Sequence, residues 1–276
     1  MGLGDDLMWC GEAAKQHQVT GKRVEPTGSK EFSPFWHNLE WIIHPEYNPP
    51  YPGEDVIQVP THPNNGCRWY MDSWGPNKIN FTEYEPLRGH IRFSMTERLW
   101  SNSIVKDWNC KGDKFVLVNP DSKNTTSANN KAWPFDYWQT LVDRISEHVQ
   151  VVRLKPASGQ DVSGHVEYNQ PELKNCINVS YPLRIAMAIA RHASCIVTTE
   201  GGLHHVAASL GVPCIVLYGA FISPKQTGYK DQVNLYTGPE EGPYGSTVPD
   251  DRCTEAMKKI TPEEVYTNLS RIITEF

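Results

Sequence analysis

From Phe115 onward, short apolar runs alternate with longer stretches whose apolar residues recur at helical spacing. Phe115–Val118, Val149–Leu154, Ile177–Val179, Ile196–Thr198 and Cys214–Tyr218 read as buried strands. Between them, Phe135–His148 and Leu203–Leu210 carry helical periodicity, and Pro182 opens a helix running to about His192. A last helix starts at the Thr261-Pro262-Glu263-Glu264 cap and runs to the C-terminus. Strands alternating with helices predict an α/β fold with a parallel sheet covered on both faces. Ligands of such sheets bind beyond the carboxyl ends of the strands. The loops after Val118, Leu154, Val179, Thr198 and Tyr218 are therefore where chemistry is expected.

The first part of the chain lacks this rhythm. Asp5–Gln18 fits a helix after a Gly-rich turn, whereas Thr27–Pro63 is rich in Pro, Asn and aromatics and Cys67–Arg92 has no clear period. The pattern divides the chain into a smaller, irregular α/β domain over 1–110 and a regular one over 111–276, with the boundary near Trp108–Asp113. A return of the last helix across that boundary stays open.

Composition narrows the function classes. With 39% hydrophobic residues the chain can bury a full core, and its net charge of −6 argues against broad nucleic-acid binding. A local basic groove from Arg23, Lys30, Arg68 and Arg92 remains compatible with that average. The seven cysteines include no C-x-x-C pair, which suggests a reduced, intracellular protein. Met-Gly-Leu-Gly-Asp-Asp places acids where a leader would be basic, and no apolar run is long enough to span a bilayer. A cytoplasmic location, bacterial or within a host cell, is the expectation.

The densest motif is Thr199–Gly211, T-E-G-G-L-H-H-V-A-A-S-L-G. A strand runs into a carboxylate and two glycines, and a helix begins at once. Gly201 and Gly202 allow backbone N–H groups close to a ligand, and the helix N-terminus favours phosphate. Glu200 can accept hydrogen bonds from ribose or sugar hydroxyls; equally, it can cap a plain strand-to-helix turn. His204 and His205 point different ways around a helix, so one zinc ion shared by both is not expected, and His205 is the better candidate to face the ligand. Neither a G-x-x-x-x-G-K-[ST] loop nor a G-x-G-x-x-G after a strand occurs.

This stretch resembles the D-x-G-x-x-H-x-A-A-A-L-G-x-P signature of glycosyltransferase family 9, the heptosyltransferase family. The similarity runs on through Gly211-Val-Pro213-Cys-Ile-Val-Leu-Tyr218-Gly219 and covers roughly Phe115 to the C-terminus. Glu200 stands where the family has Asp, and Gly201 where it has Thr or Ser, which implies a divergent, short bacterial or phage-type member. Asn129-Asn130-Lys131-Ala-Trp133-Pro134 is similar to the family's K-x-W-P element. Lys131 there suits a donor phosphate, with Ser127 or Thr126 assisting. Gly4-Asp5-Asp6-Leu7 resembles the family's G-D-x-L element, whose Asp is the general base on the acceptor hydroxyl, and Asp5 aligns with it. Asp5 or Asp6 could instead only cap the first helix. A full first strand precedes this motif in the family, whereas the chain begins at the motif, so the resemblance implies a reduced N-terminal domain. The Phe221–Tyr229 segment, with Ser223 and Lys225, follows the strand end and suits base, phosphate or sugar contacts.

The resemblance implies a GT-B fold of two Rossmann-like domains with parallel sheets, the N-terminal one reduced and irregular. It implies an inverting, metal-independent glycosyltransferase with no cofactor beyond its nucleotide-sugar co-substrate. Lys131, Ser127, Glu200, Gly201, Gly202, Leu203, His205, Tyr218, Gly219, Ser223 and Lys225 would hold the donor in residues 111–276. Asp5 would be the base, with Asp6 and Arg23 on the acceptor side in residues 1–110. No apolar-flanked D-x-D element marks a metal-dependent GT-A enzyme; Asp250-Asp251 reads as a solvated Pro-rich turn. The acceptor stays open between a glycan or lipopolysaccharide core and a hydroxymethylated base of phage DNA. A nucleotide-sugar epimerase and a non-catalytic donor-binding module are the alternatives.

Overall fold

The computed structural model describes residues 2–28, 33–108, 110, 114–121, 125–155 and 170–273. The chain opens with α1 (Leu3–Thr20), whose N-cap Gly2 is extended and whose end is Gly21 at φ 69°. Asp5 turns its carboxylate back to accept from the Gly2 N–H at 3.2 Å. Residues 6–11 of α1 are all buried, together with Ala13 and Ala14. A surface helix buries one stripe; α1 is buried all round over residues 6–11 because both sides are covered there. On one side it packs on the later helix Gly202–Leu210. On the other, residues 87–89 cross it so closely that a Cβ on Gly11 would lie 2.5 Å from the Leu87 carbonyl oxygen.

Next come β1 (Val24–Thr27) and β2 (Ile57–Pro60), a parallel pair, and an antiparallel hairpin of β3 (Met71–Trp74) and β4 (Ile79–Phe81). These short strands fall where the sequence shows no period. Among the described residues of this part, β1-β2 and β3-β4 are two separate two-stranded sheets. Helix α2 (Met95–Asp107) follows, opened by a capping box in which Ser94 and Glu97 bond each other's backbone N–H.

The regular part begins with β5 (Phe115–Asn119), the short α3 (Thr126–Asn129), α4 (Phe135–Ser146), β6 (Gln150–Lys155), β7 (Ile177–Ser180) and α5 (Leu183–Ala190). It continues through β8 (Cys195–Thr199), α6 (Gly202–Leu210), β9 (Cys214–Tyr218), the short α7 (Pro224–Thr227), β10 (Val233–Tyr236), α8 (Asp251–Lys259) and α9 (Pro262–Ile272). All five expected strands are present within a residue or two, and β10 and α8 are additions. Asp250, expected in a solvated turn, instead N-caps α8 by accepting from the Arg252 N–H.

The strands form one parallel sheet in the order β10-β9-β8-β5-β6-β7. Period-2 geometry sends alternate residues to opposite faces. Phe115 and Leu117 enter the core beneath α2 and α5, while Val116 and Val118 enter the one beneath α4 and α9. Burial on both faces explains why these strands read as unbroken apolar runs. α9 contacts α4 and β9, on the sheet's own face, where the sequence left open a return across the N-terminal residues.

Candidate functional site

Strand order sets the position of the site. From β5 the chain steps outward through β6 and β7, then returns to the other flank of β5 as β8. The crevice between the carboxyl ends of β5 and β8 is a topological switch point, the usual place for ligands in open α/β sheets. Asn119 ends β5 opposite Thr198, and β8 leads through Glu200 and Gly201 into α6. The N-terminus of α1 meets that of α6 at this point: a Cβ on Gly4 would lie 2.5 Å from His205 Cδ2, and one on Gly202 would lie 3.3 Å from Leu3 Cβ. Two helix N-termini therefore converge, each with unpaired N–H groups and a partial positive charge. Between them and the strand ends lies a cavity of about 380 Å³.

Glu200 and Lys131 form its polar end. The Lys131 ammonium sits 2.8 Å from Glu200 Oε2 and lies over the Phe221 ring at 5.4 Å; the Thr227 hydroxyl donates to Glu200 Oε1 at 3.4 Å. Burial on its own would raise the Glu200 carboxyl. The Lys131 charge, with the His204 imidazole nearby, outweighs it and holds the group well below the usual carboxylate range. Glu200 is thus an anion in a nearly dry site, with a cation beside it.

His205 lines the cavity and its Nδ1 lies 2.9 Å from the Tyr229 hydroxyl. Burial, then the neighbouring His204, push its imidazole well below the ordinary value, so it is neutral at physiological pH. His204 points away, with Nδ1 3.4 Å from Gln232 Oε1. The two rings nonetheless lie 3.9 Å apart, closer than their positions around a helix suggested. One donor atom each from Glu200, His204 and His205 falls within 4.8 Å of the others, a set that could hold a metal ion. Most of its capacity is already engaged: Glu200 by Lys131 and Thr227, His205 Nδ1 by Tyr229. Among the described residues His204 Nε2 has no hydrogen-bond partner, and it stands 3.9 Å from Glu200 Oε1.

Asp5 lines the same cavity from the α1 side. Its Oδ1 accepts from the Tyr70 hydroxyl at 2.9 Å, and its Oδ2 faces Arg68 Nε at 3.6 Å. The adjacent Asp6 turns into the core at 4% exposure and does not line the cavity. Burial pushes its carboxyl up to about 7, against a lowering hydrogen bond from Ser33.

The other expected residues divide clearly. Ser127, Gly201, Gly202 and Leu203 line the cavity. Tyr218 is buried behind Glu200, its hydroxyl 3.5 Å from Thr227 Oγ1. Gly219 packs against Met257, Ser223 caps α7, and Lys225 is exposed beside Glu83 at 3.1 Å. Arg23 lies outside the cavity, bound to Glu54 at 3.1 Å and to the Asn48 carbonyl at 2.6 Å. Arg92 pairs with Glu40 at 3.0 Å and Arg68 is buried, so the expected basic groove does not assemble from them; Lys30 and the Thr126 side chain lie outside the described residues.

Tyr70, Lys155 and Tyr181 line the cavity without having been singled out. Nor was Arg153, fully buried and donating to both oxygens of Asp121 at 2.9 and 2.7 Å beside the cavity. That pair had a legible signal: an arginine inside the apolar strand Gln150–Lys155, which must find a buried anion.

Residues 88–269 match the model of glycosyltransferase family 9 (heptosyltransferase). Lipopolysaccharide heptosyltransferase 2 of Salmonella typhimurium is 28% identical over 153 residues, which is 52% of this chain and 43% of that protein. Its Escherichia coli K12 namesake is 26% identical over 151 residues, with the same shares. The chain thus spans less than half the length of these curated relatives. Among solved structures, the family 9 glycosyl transferase of Veillonella parvula gives a TM-score of 0.51 at 20% identity, over 68% of this chain and 54% of that one. The iron-containing dodecameric glycosyltransferase TibC of enterotoxigenic E. coli gives 0.57 at 16% identity, over 99% and 76%. At such identities the likeness concerns the fold, which is α/β of the GT-B type. Among the described residues no helix is long and apolar enough to cross a membrane.

Proposed function

Because the chain belongs to glycosyltransferase family 9, we propose that it moves a sugar from a nucleotide-sugar to an acceptor hydroxyl, with inversion and without a metal. One observation carries the reading: Asp5, Lys131 and the N-terminus of α6 open onto one cavity at the switch point of the sheet. The donor diphosphate would rest on the α6 N–H groups and Lys131, while Glu200, neutral His205 and Ser127 face the sugar and phosphates. Asp5 would take the acceptor proton as the acceptor oxygen attacks the anomeric carbon and the nucleotide diphosphate leaves with the bonding electrons. Attack opposite the leaving group inverts that carbon. Lys131 and the two helix N-termini would stabilise the departing charge, the role a metal fills elsewhere.

Residues 111–276 would bind the donor and 1–110 present the acceptor. A glycan is the acceptor proposed, in line with the lipopolysaccharide named for the relatives and with the pairing of Arg23 and Arg92 to carboxylates. A cytoplasmic location accompanies this reading, as the compartment in which nucleotide-sugars are supplied.

The test is release of ADP from ADP-heptose, the donor in a complex of TibC, followed with and without glycan acceptors and extended to other nucleotide-sugars. Asp5→Asn is expected to slow transfer by ~10²–10⁴-fold, the usual worth of a positioned base, and a chelator to change nothing. Turnover unaffected in Asp5→Asn would remove Asp5 from the chemistry, and loss of turnover in chelator would transfer the metal role to Glu200, His204 and His205.

A further inference from the structure

Asp5 is held by more than its own helix. The turn before β3 brings Tyr70 and Arg68 against its two oxygens, at 2.9 and 3.6 Å. That turn is itself tightly determined. The Asn64 amide donates to the carbonyls of Arg68, Trp69 and Met71 at 3.1, 2.9 and 3.3 Å, and Arg68 Nη1 donates to the Thr61 carbonyl at 2.8 Å. The Tyr70 ring stacks on Phe81 at 6.1 Å, Phe81 meets Phe221 edge-on at 5.9 Å, and Lys131 lies over Phe221. A continuous row of side chains therefore joins the partner of Asp5 to the cation at the polar end of the cavity. Burial, then the negative charges of Asp5 and Glu200, push the Tyr70 hydroxyl well above its ordinary value, so it remains a donor across the working pH range.

We propose that Tyr70 is a positioning residue, which with Arg68 fixes the Asp5 carboxylate toward the cavity and sets its orientation relative to Lys131. The inference rests on the reading of Asp5 as the base. A free aspartate in the first turn of a helix can rotate between capping its own backbone and facing a substrate. Here Oδ2 accepts from the Gly2 N–H and faces Arg68 while Tyr70 donates to Oδ1, so both oxygens are tied and the rotation is confined. This gives the aperiodic stretch around β3 and β4 a function that its sequence pattern does not announce.

The experiment reads Asp5 directly. In protein carrying carboxyl-13C aspartate, with Asp5→Asn to assign the signal, the pH at which the Asp5 carboxyl titrates is followed by NMR. Removing a donor from a carboxylate disfavours its charged form, so Tyr70→Phe is expected to move that titration upward. Tyr84→Phe removes a bond of the same kind, from Tyr84 to Glu12 at 2.7 Å further along α1, and should leave it in place. Arg68→Gln should move it in the same direction as Tyr70→Phe, and decides the matter if the latter does not fold. A titration unmoved in both, or moved equally by Tyr84→Phe, overturns the proposal. The measurement needs no turnover, so a chain that transfers no sugar would sink the transferase reading and leave this one to be judged on its own.

Discussion

Asp6, expected on the acceptor side, turns away from the cavity into the core. Its motif gives two adjacent acids, but successive side chains on a helix point about 100° apart, so when Asp5 faces the cavity Asp6 must face the core. There it keeps an oxygen with no hydrogen-bond partner. Its carboxyl is raised to about 7, first by burial. Between pH ~4 and ~7 the unfolded chain has lost this proton and the folded chain retains it, so stability falls as pH rises through that window. Asp6→Asn removes the ionisation and keeps the shape. Its stability in urea should equal that of the parent near pH 4 and exceed it by up to about 4 kcal/mol at pH 8. A constant difference across the range would mean that Asp6 is not held protonated. Cys10 and Cys195, pushed up to about 12 by burial, are by contrast inert thiols packed in the core.

At the scale of elements, the joint of α1 with α6 shapes the site. Gly4 lies inside α1, where alanine would ordinarily add about 1 kcal/mol of helix stability. A Cβ there would meet His205 Cδ2 at 2.5 Å, and His205 is pinned by Tyr229 and cannot withdraw. Overpacking typically costs ~1–3 kcal/mol, so the clash outweighs the propensity. Gly4→Ala should lower the melting temperature; a rise would show that the joint is looser than its geometry implies. The regular elements were legible in the sequence because the central strands β5, β8 and β9 are buried on both faces, α4 has one clear apolar stripe, and α5 and α6 carry compact apolar runs. α2 escaped because Met95, Leu99 and Trp100 face solvent and blur its period. β10 is a four-residue strand at the sheet edge, and α8 buries only Cys253, Ala256 and Met257. β1 to β4 exist through tertiary pairing, with prolines at Pro26 and Pro60, so no local pattern specifies them. The same reason hid Tyr70: loop residues reach a site by the path of the chain, whereas Glu200 and Lys131 sit at strand and helix ends that a pattern can locate.

For the whole molecule the question is whether its two unlike parts are independent. The sequence divides them at residue 110, yet the packing joins them in two places. Leu7, Trp9, Val24 and Trp36 share a core with Met187 of α5 and Val206 of α6. Cys67, Met71 and Ile79 of the hairpin region share another with Phe115, Ile189 and Phe221. Each of these side chains contributes roughly 1.5–3 kcal/mol when buried, so separating the parts would expose several at once, more than a domain's usual margin of ~5–15 kcal/mol tolerates. The parts should therefore unfold together. Tryptophans report on both sides: Trp9 and Trp36 within the first core, Trp133 and the α4 residue Trp138 within the core that α4 and α9 cover. Single-tryptophan variants retaining one of each pair should give superimposable urea transitions, coincident with loss of helical circular dichroism. If ADP fills the cavity as proposed for the donor, it should shift both midpoints equally, since the cavity draws on α1 and α6 alike. Two separated transitions, with ADP moving only the one reported by Trp133 or Trp138, would mean that donor binding belongs to the C-terminal sheet alone, and that Asp5 reaches the donor through a joint able to open.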